Sequence, residues 1–192
     1  SDAGITIAFT RTQAGQKTTV INTSKICDIA TAGITTWDFD NDGTLDIVAW
    51  GPSGVWVHRG LGGGKFDEQL KPKGLPTGEV TRCEVGDLDD DGDLDLVIVV
   101  NSVPLIIDNE GGNQNNWIRL RLAAEPDPKF AVQRCNSYGL GSRAELLVGS
   151  QYQLQQVSDQ VTHFGIGTQT TADALRVLWT NGIPQSTVKP DT

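Results

Sequence analysis

Asp38-Phe-Asp-Asn-Asp-Gly-Thr-Leu-Asp46 and Asp87-Leu-Asp-Asp-Asp-Gly-Asp-Leu-Asp95 share one pattern, D-x-D-x-D-G-x-L-D. Close carboxylates repel and desolvate one another, so such a stretch resists compaction unless a cation joins its oxygens. Carboxylates at loop positions 1, 3, 5 and 9, with glycine at 6 for the sharp turn, suit a loop that wraps hard oxygen ligands around Ca²⁺. The backbone carbonyl at position 7, that of Thr44 or Asp93, can add a neutral oxygen. A single acidic run is more often a solvated loop, whereas two copies in one register favour calcium. The expected ligands are Asp38, Asp40, Asp42, Thr44 and Asp46 in the first loop, and Asp87, Asp89, Asp91, Asp93 and Asp95 in the second.

An EF-hand needs a bidentate Glu at position 12 and a helix on each side. Position 12 is Ala49 in one loop and Ile98 in the other. The residues that follow, Ile47-Val-Ala-Trp50 and Leu96-Val-Ile-Val-Val100, are short β-branched and aromatic runs of the kind that form buried strands. Each loop therefore leads into a strand.

The loops start 49 residues apart, at 38 and 87, close to the period of propeller blades. After the first come a turn at Gly51-Pro-Ser-Gly54, a strand at Val55-Trp-Val-His58 and a glycine turn at Gly60-Leu-Gly-Gly-Gly64. After the second come Asn101-Ser-Val-Pro104, Leu105-Ile-Ile107 and Asp108-Asn-Glu-Gly-Gly112 in the same order. Two such units cannot close a propeller, which typically has four to eight blades. The preceding Ser1–Ile34 holds strand-like Ile5–Thr10 and Lys17–Ile21 without a third aspartate loop, so it reads as a degenerate blade or as half of one completed by another chain, with a self-contained three-unit β domain as the alternative.

On these residues, Phe39 to Phe66 and Gly86 to Val100 resemble FG-GAP/VCBS-type repeats, the calcium-binding blade units of integrin-α-like β-propellers. Farther on, Asn116-Trp-Ile-Arg-Leu-Arg-Leu122, Gly139-Leu-Gly-Ser-Arg143, His163-Phe-Gly-Ile-Gly167 and Val177-Leu-Trp-Thr-Asn-Gly182 are similar to the ASPIC/UnbV domain. Two departures stand out: Thr180 replaces the usual proline, and Ala123–Cys135 is a variant or lengthened loop. The expected fold class is all-β. An incomplete propeller-like repeat region over 1–112 precedes a small sandwich or barrel over 113–192. In that second part Arg143–Val148 and Gln151–Val157 read as strands joined at Gly149-Ser150, and Thr171–Leu178 is expected to end as a strand despite its alanines.

The formal net charge is −9, and two bound Ca²⁺ would bring it to −5. With no basic, aromatic-interleaved stripe, nucleic acid is not an expected partner. No run approaches the ~18 apolar residues of a membrane span. The chain opens on Ser1 and contains no methionine, so it reads as a mature or excised piece. Cys27, Cys83 and Cys135 lack metal-type spacing, leaving either one disulfide with one thiol or three thiols.

Catalysis finds little support. The paired acids are committed to a metal pattern, and His58 and His163 read as structural hydrogen-bonding groups. There is no Gly-x-Ser-x-Gly elbow, no His-Glu-x-x-His and no phosphate-binding glycine loop. Trp37, Trp50, Trp56, Trp117 and Trp179 could stack on sugars, but their places in strands and motifs favour packing. The expectation is a non-enzymatic, calcium-stabilised binding or adhesion module, extracellular, on the cell surface or periplasmic, with two structural ions. A protein or glycan would be its partner, and another chain or a further segment would complete the propeller. The alternatives are a subunit of an extracellular assembly or filament, and an accessory part of a larger secreted hydrolase or redox enzyme.

Overall fold

The structure, a computed structural model, describes residues 5–11, 19–28, 30–67, 75, 77–111, 114–124 and 135–190. Lys17, Gly112 and most of the Ala123–Cys135 loop lie outside them. The described residues are all-β, with no α-helix and with sheets that do not close. The strands among the described residues are β1 Ile5–Arg11, β2 Thr19–Cys27, β3 Gly33–Trp37, β4 Asp46–Gly51, β5 Gly54–His58, β6 Val80–Gly86, β7 Asp95–Val100, β8 Val103–Ile107, β9 Asn116–Leu120, β10 Arg143–Val148, β11 Gln151–Gln156, β12 Thr162–Gly167, β13 Ala174–Leu178 and β14 Pro184–Val188. Each aspartate loop leads into a strand: β4 follows the first and β7 the second.

The chain divides into two compact units, and the division cuts across both aspartate loops. The first unit holds 1–37, 45–88 and 94–109, whereas 38–44 and 89–93 group with 110–192 in the second.

In the first unit β1 and β2 form a hairpin, and two antiparallel meanders follow in the orders β3-β4-β5 and β6-β7-β8. Their registers repeat with the period of the sequence. Trp37 pairs Asp46 and Gly51 pairs Gly54; at 49 residues further on, Gly86 pairs Asp95 and Val100 pairs Val103. The second meander turns through Asn101 and Ser102, both at positive φ (48° and 68°), the arrangement a tight two-residue hairpin needs. β4 and β7 are largely buried, with Ile47, Val48 and Ala49 of β4, and Leu96, Ile98 and Val100 of β7, each at most 4% exposed, and the edge strand β5 is buried along its whole length. Ile5, Ile47 and Ala49 form a small cluster with Ile26 and Phe66 against it.

Two groups buried here have altered proton affinities. His58, at the end of β5, is 1% exposed. Burial pushes its pKa below the ordinary imidazole range, with the backbone of Asp67 acting in the opposite sense. Cys83 on β6 is a buried free thiol, pushed up to about 11 by burial and by the neighbouring Glu84. Cys135 is also a free thiol.

The second unit is built from a four-stranded sheet, β11-β10-β13-β14, and a two-stranded sheet, β12-β9. The β10–β11 hairpin turns at Gly149-Ser150, with Gly149 in the left-handed region at φ 56°. Alternate residues Ala144, Leu146 and Val148 of β10 point inward and pack with Leu122, Val157, Phe164, Ile166, Ala172 and Val177. The sheets share a second connection made by side chains. Gln153 Nε2 donates to the Gly165 carbonyl at 2.6 Å and Gln155 Nε2 to the His163 carbonyl at 2.7 Å, so alternate glutamines of β11 reach the backbone of β12.

A histidine that is neutral when folded takes up a proton on unfolding once the pH drops below its free value, near 6.5. Its stabilising effect is therefore complete above that pH and lost as the pH falls towards the depressed folded pKa. Urea unfolding in chelator between pH 7.5 and 5.5 is expected to show wild-type stability declining below about pH 6.5, by at most ~1.4 kcal/mol per pH unit for one proton. The His58→Leu variant should lack that component; an unchanged slope would refute this account of His58. Likewise, a thiol-specific reagent at pH 8 should leave Cys83 unmodified in the native protein and label it after denaturation.

Candidate metal centre

The repeat places its carboxylates in two groups. Asp38, Asp40 and Asp42 each offer an oxygen within 4.8 Å of the others, and so do Asp87, Asp89 and Asp91. Within each loop, backbone N–H groups orient these carboxylates. Gly43 N donates to Asp38 Oδ2 at 2.9 Å, Asp42 N to Asp40 Oδ1 at 3.3 Å, and Thr44 N to Asp42 Oδ1 at 2.8 Å. In the second loop Asp91 N donates to Asp89 Oδ1 at 3.2 Å and Asp93 N to Asp91 Oδ1 at 3.0 Å. A carboxylate has two oxygens and about four lone-pair sites, so one N–H bond leaves it able to ligate. Clustered hard oxygens suit a hard divalent cation, and each group can hold a metal ion.

Position 9 has a different set of contacts. Asp46 is 1% exposed, and its Oδ1 accepts the Gly60 N–H at 2.6 Å. Asp95 is 2% exposed; its Oδ1 accepts the Asn109 N–H and its Oδ2 the Leu88 N–H, both at 2.9 Å. Gly60 and Asn109 are again 49 residues apart, each 14 residues after its aspartate. Both aspartates thus tie the start of their central strand to the segment that follows the hairpin. Thr44 and Asp93 contribute the N–H groups already described.

The tip of the first loop is gripped by the rest of its own unit. Three consecutive carbonyls receive donors: Asp40 O from Asn115 Nδ2 at 2.7 Å, Asn41 O from Gly167 N at 2.8 Å, and Asp42 O from Gln151 Nε2 at 3.0 Å. Gly165 lets the loop lie flush on β12, because a Cβ there would strike Asp38 Oδ2 and the Asn41 backbone. Asn41 is fully buried, with its Oδ1 2.6 Å from His163 Nε2 and its Nδ2 2.9 Å from the Gly92 carbonyl.

The second tip meets β9. Gly92, at φ 95°, needs glycine for its backbone and also for space, since a Cβ would overlap the Trp117 indole. Arg119 stacks over Trp117 at 4.7 Å from its centroid and donates to Asp90 Oδ1 at 2.6 Å; the Asp90–Arg119 pair is solvent-exposed and contributes little. Trp117 also stacks on His163, with centroids 5.8 Å apart. From the sequence His163 and Trp117 are expected to be structural, and nothing local marks Asn41, Asn115 or Gln151. Their partners lie up to 122 residues away, beyond the reach of any local pattern.

Residues 38–98 match the FG-GAP-like repeat family. The chain is also similar to cartilage acidic protein 1 of Xenopus tropicalis, with 32% identity over 166 residues that cover 76% of this chain and 25% of that protein. It therefore spans about a quarter of the length of the curated relative that it matches.

The close approach at Gly165 makes a specific demand. Backbone cannot swing aside as a side chain can, so Gly165→Ala is expected to destabilise the protein by about 3 kcal/mol, the upper part of the range for overpacking. Urea unfolding should show a lower midpoint with little change in slope; a midpoint within error of wild type would contradict the flush packing.

Proposed function

We propose that this chain is part of an extracellular, non-enzymatic binding or adhesion module in which Ca²⁺ is structural. The observation that carries the reading is the pair of matched aspartate loops inside an FG-GAP-like segment, each bringing three carboxylates together. Asp38, Asp40 and Asp42 would hold one ion, joined by the Thr44 carbonyl and Asp46. Asp87, Asp89 and Asp91 would hold the other, joined by the Asp93 carbonyl and Asp95. The ion's contribution would be to neutralise the carboxylates and fix the loop, and at millimolar extracellular calcium even weak sites of this kind stay filled. Among the described residues, no helix is long and apolar enough to cross a membrane.

Residues 113–192, with their motif order from Asn116 to Gly182, are taken as an ASPIC/UnbV-like β domain. The propeller is taken to be completed by further blades, from more of the same protein or from another chain. Two features support that: meanders of three strands among the described residues, where a propeller blade has four, and an outer strand, β8, that leaves Val103 and Ile106 56% and 63% exposed. A protein or glycan ligand would then be recognised by surface loops.

Thermal melting in calcium and in EDTA tests the reading. An ion at about a hundredfold excess over its Kd stabilises the folded state by about 2.7 kcal/mol. For a chain of this size that corresponds to a Tm rise of roughly 5–10 °C per ion. Asp42→Ala and Asp91→Ala should each remove half or more of the calcium-dependent rise while melting in EDTA at or above the wild-type temperature. Equal losses with and without calcium would sink structural calcium.

A further inference from the structure

Asn41 lies between Asp40 and Asp42, and Gly92 lies between Asp91 and Asp93. One hydrogen bond, from Asn41 Nδ2 to the Gly92 carbonyl, joins the two acidic loops. The Gly92 carbonyl can only accept, so the amide nitrogen faces it and Asn41 Oδ1 faces His163, whose Nε2 therefore carries the proton.

This bond acts on a carboxylate of the second loop through a single rigid plane. The Gly92 C=O and the Asp93 N–H belong to the same planar peptide. The carbonyl receives the Asn41 amide, and the N–H donates to Asp91 Oδ1. Fixing one end of that plane aims the other, so Asn41 sets the direction from which Asp91 is held. The first loop is built the same way. The Asn41 C=O receives Gly167 N–H, and the Asp42 N–H of that same peptide donates to Asp40 Oδ1. Asn41 is fully buried and sits at φ 58°, a left-handed conformation that asparagine tolerates better than most residues.

We infer that Asn41 is a positioning residue for both loops, coupling them so that a divalent cation held by one raises the affinity of the other. This rests on the calcium reading above. A cation that draws Asp40 and Asp42 together fixes the backbone on either side of Asn41. The ordered Asn41 amide then holds the Gly92–Asp93 peptide in the orientation that presents Asp91. By thermodynamic reciprocity the second loop acts equally on the first.

Calcium titration calorimetry on the full chain tests the coupling. Wild type should bind two ions with an isotherm steeper than that of independent sites. Asp42→Ala, which disables the first loop, and Asp91→Ala, which disables the second, should each bind the remaining ion about fivefold more weakly than wild type, the lower end of ordinary coupling factors. Asn41→Gly keeps the positive φ and removes the amide. Added to Asp42→Ala, it should weaken the second loop about fivefold further although neither substitution lies in that loop, and a general loss of structure is checked by circular dichroism at saturating calcium. Should the double variant fail to fold, the two single-loop variants still decide the question. Two ions bound independently, with affinities that neither loop's loss nor Asn41→Gly changes, would overturn the coupling and leave the calcium reading standing. No calcium binding by wild type would overturn both.

Discussion

The tip of the first aspartate loop is held by neutral hydrogen bonds, and the placement of its charges depends on them. Donors from Asn115, Gly167 and Gln151 take the carbonyls of Asp40, Asn41 and Asp42 in turn. With its carbonyls engaged, the loop's N–H groups are left to orient its carboxylates. Net hydrogen bonds of this kind contribute only about 1 kcal/mol each, but leaving a buried carbonyl unmatched costs more than making the bond gains. The arrangement therefore selects one loop conformation more strongly than it stabilises the fold.

The 49-residue repeat operates at three levels that need not have agreed. It is present in the aspartate pattern, in the strand register from Trp37–Asp46 to Gly86–Asp95, and in the contact from the ninth loop residue to a backbone N–H. The conservation of geometry extends to the places where residue types differ: Gly60 and Asn109 are unlike side chains, yet each offers the same backbone donor. The repeat is thus a repeat of backbone geometry, and Asp46 and Asp95 are the acids most deeply built into it. What the two copies do not share is the surface each tip meets, β12 for the first and Trp117 of β9 for the second.

Much of this was legible from residues alone, because it is local. The strands after each loop and the Gly149-Ser150 turn follow from short-range patterns of β-branched residues and turn formers, whereas the strand that ends at Leu178 needed the family resemblance beside its Arg-Val-Leu-Trp ending. The gripping of the loop tips was not legible. Gln151, Gln153 and Gln155 lie on a segment whose pattern gives a strand and nothing more, and only their partners 109, 12 and 8 residues away reveal that this face is turned inward. Asn41 was hidden in another way: asparagine at a left-handed turn position already has a sufficient local reason to be there. His58 shows the same gap, since nothing in Val-Trp-Val-His tells a buried terminal histidine from an exposed one.

The glutamine side of β11 has a mechanical consequence. Within a sheet, neighbouring backbones share a ladder whose bonds are fixed in register and strain together. Between β11 and β12 the link is made by flexible arms, each with three rotatable bonds ending in an amide. Each of these links depends on a single side chain, so removing one glutamine takes away one link and leaves the backbone ladders of both sheets intact. One strand face thus serves two surfaces: Gln151 reaches the tip of the first aspartate loop, while Gln153 and Gln155 reach β12.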